Sequence, residues 1–169
     1  MMSIRRYAGI SLSLLLLDGS LSPVNAQRAI LLLRHAERVE YTSPDGVLSE
    51  AGEARARVLA RLLQDAGVTA IYTSDRKRTQ QTAEPLSKAL GIAPTTVPFQ
   101  SQVEATLSLI REREKSGIVV IVSHSDIVPA FLKALGHPGQ ITIGPQEHDD
   151  IFVIVPAPGG PPTVVRLNY

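Results

Sequence analysis

The sequence predicts an α/β fold with a mostly parallel sheet and an antiparallel edge. Two apolar segments, 29–33 and 118–122, have the length and composition of strands that are buried on both faces, as in a parallel sheet covered by helices. Segments of helical periodicity separate the predicted strands. Near the end of the chain, two strand-like segments at 151–155 and 163–167 flank a Pro- and Gly-rich turn, which predicts an antiparallel pair at the sheet edge.

The composition is that of one ordinary globular domain. Of the 169 residues, 44% are apolar and 20% are charged, and the formal charge of +1 gives no reason to expect a nucleic-acid or membrane-surface partner. Cysteine is absent, so disulfides and thiolate metal sites are excluded. Aromatic residues make up 4% and Trp is missing, which argues against base-stacking and aromatic sugar-binding surfaces.

The first 26 residues have the pattern of a cleaved export signal. Two arginines precede a short apolar run at 10–17, and small residues lie before a cut after Ala26. The run is far shorter than the ~20 residues that cross a bilayer, which argues against a membrane anchor. We therefore expect a cleaved signal peptide at 1–26 and a single domain at 27–169. The mature protein is expected to be exported, periplasmic or secreted, with no membrane association.

The first predicted strand is followed by a polar loop at 39–47 and then by a helix. Ser49 is the expected N-cap and Gly67 the expected C-terminal cap. The apolar positions recur at spacings of three and four and predict one inward stripe: Ala51, Val58, Leu59, Leu62, Leu63 and Ala66. The polar residues off that stripe are expected to face solvent: Arg55, Arg57, Arg61 and Gln64.

A second strand at 68–72 leads into a second helix. Ser74 or Asp75 is the expected cap, Gly91 closes the helix, and Pro85 predicts a kink or a break within it.

The start of this second helix carries three consecutive basic residues, 76–78. Basic residues in a first turn oppose the helix dipole, a local cost that makes sense if one of them reaches a phosphate site. Ser74, Arg78 and Thr82 are spaced by four and are expected on one helical face near the strand end. Arg76 and Lys77 are expected to face solvent.

The second half of the chain repeats the alternation. Residues 92–99 predict a short strand and a loop, and 103–113 predict a helix with Glu104 near its start. The β-branched strand at 118–122 ends in Ser123-His124-Ser125-Asp126, and a helix at 129–135 follows.

The polar residues that follow these strands predict an anion site. Ligands of open α/β sheets collect at the carboxyl ends of the strands, where Arg34, His35, Arg78 and His124 are expected. Guanidinium groups suit phosphate oxygens, and imidazoles supply a nucleophile and a further donor. No Gly-rich phosphate loop with its Lys is present, which argues against a nucleotide-cradling mechanism.

With these residues identified, the sequence resembles the histidine phosphatase superfamily, also called phosphoglycerate mutase-like, and its tail resembles that of small exported members. The matching segments occur in family order: Leu33-Arg34-His35-Ala36-Glu37, Leu48-Ser49-Glu50-Ala51-Gly52, Tyr72-Thr73-Ser74-Asp75 leading to Arg78, Thr82-Ala83, and Val122-Ser123-His124. The resemblance implies a three-layer α/β/α fold and phosphoryl transfer through a phosphohistidine on His35. It also implies that Arg34, Arg78 and His124 hold the phosphoryl oxygens, with no metal or cofactor.

Two departures from the family pattern bear on the site. The Gly that usually follows the nucleophilic His is Ala36 here, which would be strained if its φ were positive. The proton donor is also open: Glu104 is the best-placed match, Asp126 and Glu37 are alternatives, and relatives that act on good leaving groups dispense with a dedicated acid.

We therefore expect a phosphoric monoester hydrolase that acts on phosphomonoesters or phosphoramidates. Its partner would be a small phosphorylated substrate or a phosphohistidine protein. A non-catalytic phosphate-binding module on the same scaffold is the alternative, and a mutase is disfavoured because the chain is short. A metal-dependent hydrolase would use His35, His124, His137 and His148, whose spacing fits no tight metal pattern. His148 is interpreted as part of a polar lead-in to the strand at 151.

Overall fold

The computed structural model describes residues 29–39, 45–157 and 160–169. The predicted export signal at 1–26 lies outside these residues, as do positions 40–44 of the polar loop and 158–159 of the last turn. Among the described residues, no helix combines the length and apolar character that spanning a bilayer requires.

Within the described residues, six strands form one mixed sheet in the order β3-β2-β4-β1-β5-β6. The first four strands along the chain pair in parallel, whereas β5 is antiparallel to β1 and β6 is antiparallel to β5. The predicted antiparallel edge is confirmed. The strands are β1 (Ala29–Arg34), β2 (Val68–Ser74), β3 (Thr95–Val97), β4 (Ile118–Ser123), β5 (Asp150–Val155) and β6 (Thr163–Asn168).

Four α-helices cover the two faces of the sheet and confirm the three-layer α/β/α architecture. They are α1 (Glu50–Leu63), α2 (Lys77–Leu90), α3 (Gln102–Arg113) and α4 (Val128–Ala134), and a 3₁₀ turn, Phe99–Ser101, precedes α3. Alternate residues of each buried strand point to opposite faces. In β1, Leu31 and Leu33 therefore pack beneath α1 and α2, while Ile30 and Leu32 pack beneath α3 and α4.

The start of α1 is held against the loop that follows β1. Ser49 caps the helix as predicted, because its Oγ accepts the Gly52 N–H at 3.2 Å. The Ser49 N–H donates to the Glu37 carbonyl oxygen at 2.9 Å. A Cβ on Gly52 would overlap that same oxygen, so only glycine allows the helix to approach this closely.

The buried face of α1 differs from the predicted stripe. Val58 and Leu62, expected to point inward, are 37% and 53% exposed. Arg55, expected in solvent, is only partly exposed and binds Glu37. Leu59 and Leu63 are buried as predicted, and the other buried residues of the helix are Gly52, Ala56 and Ala60. The rest of the predicted stripe was wrong because the small residues of α1 pack closely against the loop after β1, and this contact sets the rotation of the helix.

The prediction that Ser74 or Asp75 caps α2 was wrong. The helix begins at Lys77, and neither Ser74 nor Asp75 caps it, because both have other partners. Ser74 binds a buried histidine described below, and Asp75 Oδ1 accepts the Phe99 N–H at 3.1 Å. The Lys77 N–H donates instead to Asp45 Oδ1 at 2.8 Å, so a distant part of the chain satisfies the helix start.

The helix α2 continues unbroken through Pro85, so the predicted break does not occur. Ala83 and Leu86, on either side of Pro85 along the chain, are fully buried in the core and hold the helix against the sheet. Gly91 then ends the helix in the left-handed conformation, with φ 67°, as predicted.

Candidate active site

Three adjacent parallel strands bring the predicted residues to one edge of the sheet. Arg34 ends β1 and His35 follows it, His124 follows β4, and Arg78 lies in the first turn of α2 after β2. The ring centroids of His35 and His124 are 5.3 Å apart, and Arg78 Nη2 lies 3.1 Å from His124 Nδ1. All four side chains are buried, and they share one site.

The His35 imidazole is neutral and has a defined tautomer. Its Nδ1 lies 2.8 Å from the Ala36 carbonyl oxygen, which can only accept, so Nδ1 carries the proton and Nε2 the lone pair. Burial lowers the pKa of His35 to about 3; the hydrogen bond to Ala36 opposes this shift, and the charges of Arg78 and Arg34 add to it. An unprotonated Nε2 near neutral pH is a competent nucleophile.

The His124 imidazole has the opposite tautomer. The Arg78 guanidinium can only donate, so His124 Nδ1 accepts, and the His124 Nε2–H donates to Ser74 Oγ at 2.9 Å. Burial and then the charge of Arg78 lower the pKa of His124 to about 2. In this state His124 orients the Arg78 guanidinium.

The Arg34 side chain is held by the segment that leads into β5. Its Nη1 donates to the carbonyl oxygens of Gly144, Pro145 and Glu147 at 2.9, 3.0 and 2.9 Å. These bonds occupy Nη1, so a contact from Arg34 to a bound oxyanion would come from Nε or Nη2.

Ala36, which replaces the usual Gly, fits closely behind the site. It is fully buried against Leu48 and Ala56. Its N–H donates to Thr82 Oγ1 at 3.0 Å, so Thr82 faces the site one helical turn after Arg78. Ser74 ends β2, so the predicted helical face holds Arg78 and Thr82 but not Ser74.

The three carboxylates considered as proton donors have different surroundings. Arg55 binds both oxygens of Glu37 at 2.7 to 3.0 Å; burial raises the pKa of Glu37, but the Arg55 hydrogen bonds and charge outweigh it and the net shift is downward. Asp126 is exposed, and its negative charge partly opposes the lowering of the Arg78 pKa by burial. Glu104 is exposed in the first turn of α3. Its role as a proton donor stays a prediction.

Two site residues were missed by the sequence interpretation. The Phe99 ring meets His124 edge-on, with centroids 4.8 Å apart, and the Arg76 guanidinium lies 5.0 Å from the Phe99 centroid. His148 is buried, and its ring centroid is 5.7 Å from that of His35.

A signal for His148 was present in the sequence. An antiparallel strand beside β1 must begin at the edge where β1 ends, and Ile151 is in fact paired with Leu33. A histidine two residues before that strand therefore lies beside His35. No comparable short-range signal marks Phe99, which reaches the site through a 3₁₀ turn.

The donor set of the site suits an oxyanion. Two guanidiniums contribute N–H donors and no metal ligand. In the part of the chain that the structure describes, no three or more His, Asp or Glu side chains are grouped as a metal site would require. The fourth histidine of the metal alternative, His137, follows α4 and is partly exposed.

The sequence comparisons agree with this geometry over part of the chain. Residues 30–99 match the histidine phosphatase superfamily (branch 1). The matched range of the histidine phosphatase model contains Arg34, His35 and Arg78 and ends before His124.

Among curated proteins, the relatives found carry the name "Probable phosphoglycerate mutase GpmB". The protein of Yersinia enterocolitica is 37% identical over 75 residues, which are 41% of this chain and 35% of that protein. The protein of Yersinia pestis is 36% identical over 76 residues, with the same coverage. The chain therefore spans about a third (35%) of the length of these relatives.

The solved structures that resemble this chain cover most of it. The protein histidine phosphatase SixA, solved with tungstate, has a TM-score of 0.66 at 18% identity and covers 83% of this chain and 96% of its own. Mycobacterial glucosyl-3-phosphoglycerate phosphatase has a TM-score of 0.66 at 15% identity, with 83% and 98% covered. At these identities the likeness establishes the fold: this chain has the α/β fold of solved histidine phosphatases.

Proposed function

We propose that the chain is a member of the histidine phosphatase superfamily and hydrolyses phosphomonoesters or phosphoramidates through a phosphohistidine on His35. The observation that carries the proposal is the tautomer of His35: Nε2 bears the lone pair at a site where two buried guanidiniums and a second neutral imidazole converge. An unprotonated imidazole nitrogen beside fixed cations is the arrangement that attack on an anionic phosphoryl group requires.

The proposed reaction has two steps. His35 Nε2 attacks phosphorus, an N–P bond forms, and the bond to the leaving oxygen or nitrogen breaks while the leaving atom takes up a proton. Water then attacks the phosphohistidine in line and loses a proton, the N–P bond breaks, and inorganic phosphate leaves with His35 neutral again. The guanidiniums of Arg34 and Arg78 stabilise the charge on the phosphoryl oxygens in both steps.

His124 changes role when substrate binds. In the structure its Nδ1 accepts a hydrogen bond from Arg78. A bound phosphoryl dianion attracts Arg78 and favours the protonated imidazole, because an opposite charge stabilises the charged form. His124 Nδ1–H would then donate a hydrogen bond to a phosphoryl oxygen, while Nε2–H remains hydrogen-bonded to Ser74 Oγ.

Substrates with good leaving groups suit this site best. A dedicated general acid at neutral pH is a carboxyl group that burial keeps protonated. Glu104 and Asp126 are exposed, and Glu37 is held by Arg55. We therefore expect phosphohistidine peptides and aryl phosphates to be hydrolysed faster than alkyl phosphates. A Glu104→Gln variant that slows only alkyl phosphates would instead identify Glu104 as the proton donor.

The test of the proposal is to trap the intermediate. The protein from Gln27 onward is mixed with an aryl phosphate, and acid-labile phosphoprotein and phosphate release are measured. We expect His35→Ala to lose both, with turnover reduced by at least about 10³-fold, whereas His137→Ala keeps both. Undiminished turnover by His35→Ala would contradict the proposal. Phosphate binding by the wild type with neither turnover nor trapped phosphoprotein would indicate the non-catalytic binding module.

Export is a separate proposal that rests on the sequence of residues 1–26. We expect protein recovered from outside the cytoplasm to begin at Gln27. Mass spectrometry of the N-terminus tests this, and an intact Met1 on protein confined to the cytosol would contradict it.

A further inference from the structure

His148 is a third buried imidazole at the site, and the proposed reaction gives it no role. Its Nδ1 lies 2.8 Å from the His35 carbonyl oxygen. Because a carbonyl can only accept, His148 Nδ1 carries a proton and donates it. Burial lowers the pKa of His148, and the hydrogen bond to His35 partly opposes this shift, so His148 remains a neutral donor near neutral pH.

The hydrogen bond from His148 acts on the peptide unit that joins His35 to Ala36. The carbonyl of His35 and the N–H of Ala36 belong to the same rigid plane. His148 holds the carbonyl end of this plane, and Thr82 Oγ1 accepts from the N–H end at 3.0 Å. Two side chains from different elements therefore fix one peptide plane at both ends.

The orientation of this plane determines where the His35 imidazole points. The next carbonyl along the chain, that of Ala36, accepts the His35 Nδ1–H at 2.8 Å. If the 35–36 peptide turned, the Ala36 carbonyl would move with it. The imidazole would then lose the acceptor that keeps its proton on Nδ1 and its lone pair on Nε2.

The same segment also holds the neighbouring arginine. Three carbonyls of residues 144–147 accept from Arg34 Nη1, and His148 follows directly. The segment that leads into β5 thus holds both the cation and the nucleophile.

We propose that His148 is a positioning residue for the nucleophile: its Nδ1–H, donated to the His35 carbonyl, fixes the 35–36 peptide plane and so keeps His35 Nε2 directed at the substrate phosphorus. This inference rests on the proposed role of His35 as nucleophile. It assigns to His148 no contact with substrate.

The test compares two substitutions at His148 with a control. His148→Phe keeps a ring of similar size but removes the donor, and His148→Asn keeps an amide N–H close to the position of Nδ1. The control is His137→Phe, because His137 lies outside the site and is partly exposed. Single-turnover formation of acid-labile phosphoprotein from an aryl phosphate is measured, together with KM and thermal unfolding.

We expect His148→Phe to slow phosphoprotein formation by about 10- to 100-fold with little change in KM, because a small displacement of a reacting group costs rate rather than binding. His148→Asn should recover most of that rate, and His137→Phe should match the wild type. A wild-type rate for His148→Phe would overturn the proposal. So would a loss of rate in both His148 variants that follows only their loss of thermal stability.

A second readout separates this proposal from the proposed function. Nitrogen-15 NMR of the histidine side chains reports the tautomer of His35 without any turnover. We expect the Nδ1–H form in the wild type and in His148→Asn, and a mixture of tautomers in His148→Phe. If the wild type forms no phosphohistidine, the proposed function fails, and an unchanged His35 tautomer in His148→Phe would then overturn the positioning role as well.

Discussion

At the scale of single residues, the site consists of imidazoles kept neutral by burial. The pKa of His35 is lowered to about 3 and that of His124 to about 2, in each case mainly because the ring is removed from water. The nearby guanidiniums of Arg34 and Arg78 add to both shifts. The environment that leaves His35 Nε2 unprotonated therefore also makes the folded protein resist protonation.

This resistance predicts a loss of stability in mild acid. The unfolded chain takes up protons on both histidines below pH 6.5, the pKa of an unperturbed histidine, while the folded protein does not until about pH 3 for His35 and about pH 2 for His124. This difference in proton uptake therefore has no effect on stability above pH 6.5. Below pH 6.5 it lowers the free energy of unfolding as the pH falls. At pH 5 we expect a loss of about 2 kcal/mol for each histidine.

Urea unfolding at pH 7.5 and pH 5.0 measures this effect. His35→Gln and His124→Gln should each remove about 2 kcal/mol of the loss at pH 5, because glutamine does not titrate in this range. His148, whose pKa is also lowered by burial, contributes in the same direction and stays in both variants. His137→Gln is the control. A pH dependence that is unchanged in both site variants would show that other groups cause the acid sensitivity.

At the scale of elements, the position of α1 depends on one glycine. Replacing a helical Gly by Ala ordinarily stabilises a helix by up to about 1 kcal/mol. At Gly52 the added Cβ would overlap the carbonyl oxygen of Glu37, two residues after His35. Either α1 must retreat from the sheet edge or the loop that follows His35 must move.

We therefore predict that Gly52→Ala is destabilising, by about 2 kcal/mol or more, because backbone atoms cannot give way as a flexible side chain can. Gly160→Ala is the control, since a Cβ there meets no atom of the described residues within 4 Å. Denaturant unfolding compares the two. An unchanged or raised stability for Gly52→Ala would mean that α1 does not approach the loop as closely as described.

At the scale of the whole molecule, Arg55 connects parts that are distant in sequence. From α1 it binds the Glu37 carboxylate after β1, and its Nη1 donates to the Tyr169 carbonyl oxygen beyond β6 at 3.0 Å. Its guanidinium also lies 5.7 Å from the centre of the Tyr169 ring. One side chain thus joins the loop that follows His35, a helix and the edge of the sheet.

We predict that Arg55→Met lowers the free energy of unfolding by about 2 kcal/mol, because it leaves a partly buried carboxylate without its charged partner. The control is Arg57→Met on the same helix. Arg57 pairs with Glu53 at 3.8 Å and both side chains are more than half exposed, so we expect a change within about 0.5 kcal/mol. Equal losses in the two variants would show that the connection made by Arg55 adds no stability.

The sequence by itself determined the layered α/β fold and which polar residues follow its strands. Buried apolar runs and helical periodicity are short-range patterns, and parallel strands place their carboxyl ends at one edge by geometry. For that reason Arg34, His35, Arg78 and His124 could be selected before any coordinates, as could the Ser49 cap and the antiparallel edge.

Only the tertiary structure decided the rotation of α1, the tautomers of the two histidines and the place of His148 beside His35. Each of these depends on contacts between residues far apart in the chain: His148 and His35 are separated by 113 positions, and Ser74 and His124 by 50. A pattern within one segment reports which face of that segment is apolar. The partner that a buried donor meets is set by the packing of all the segments together.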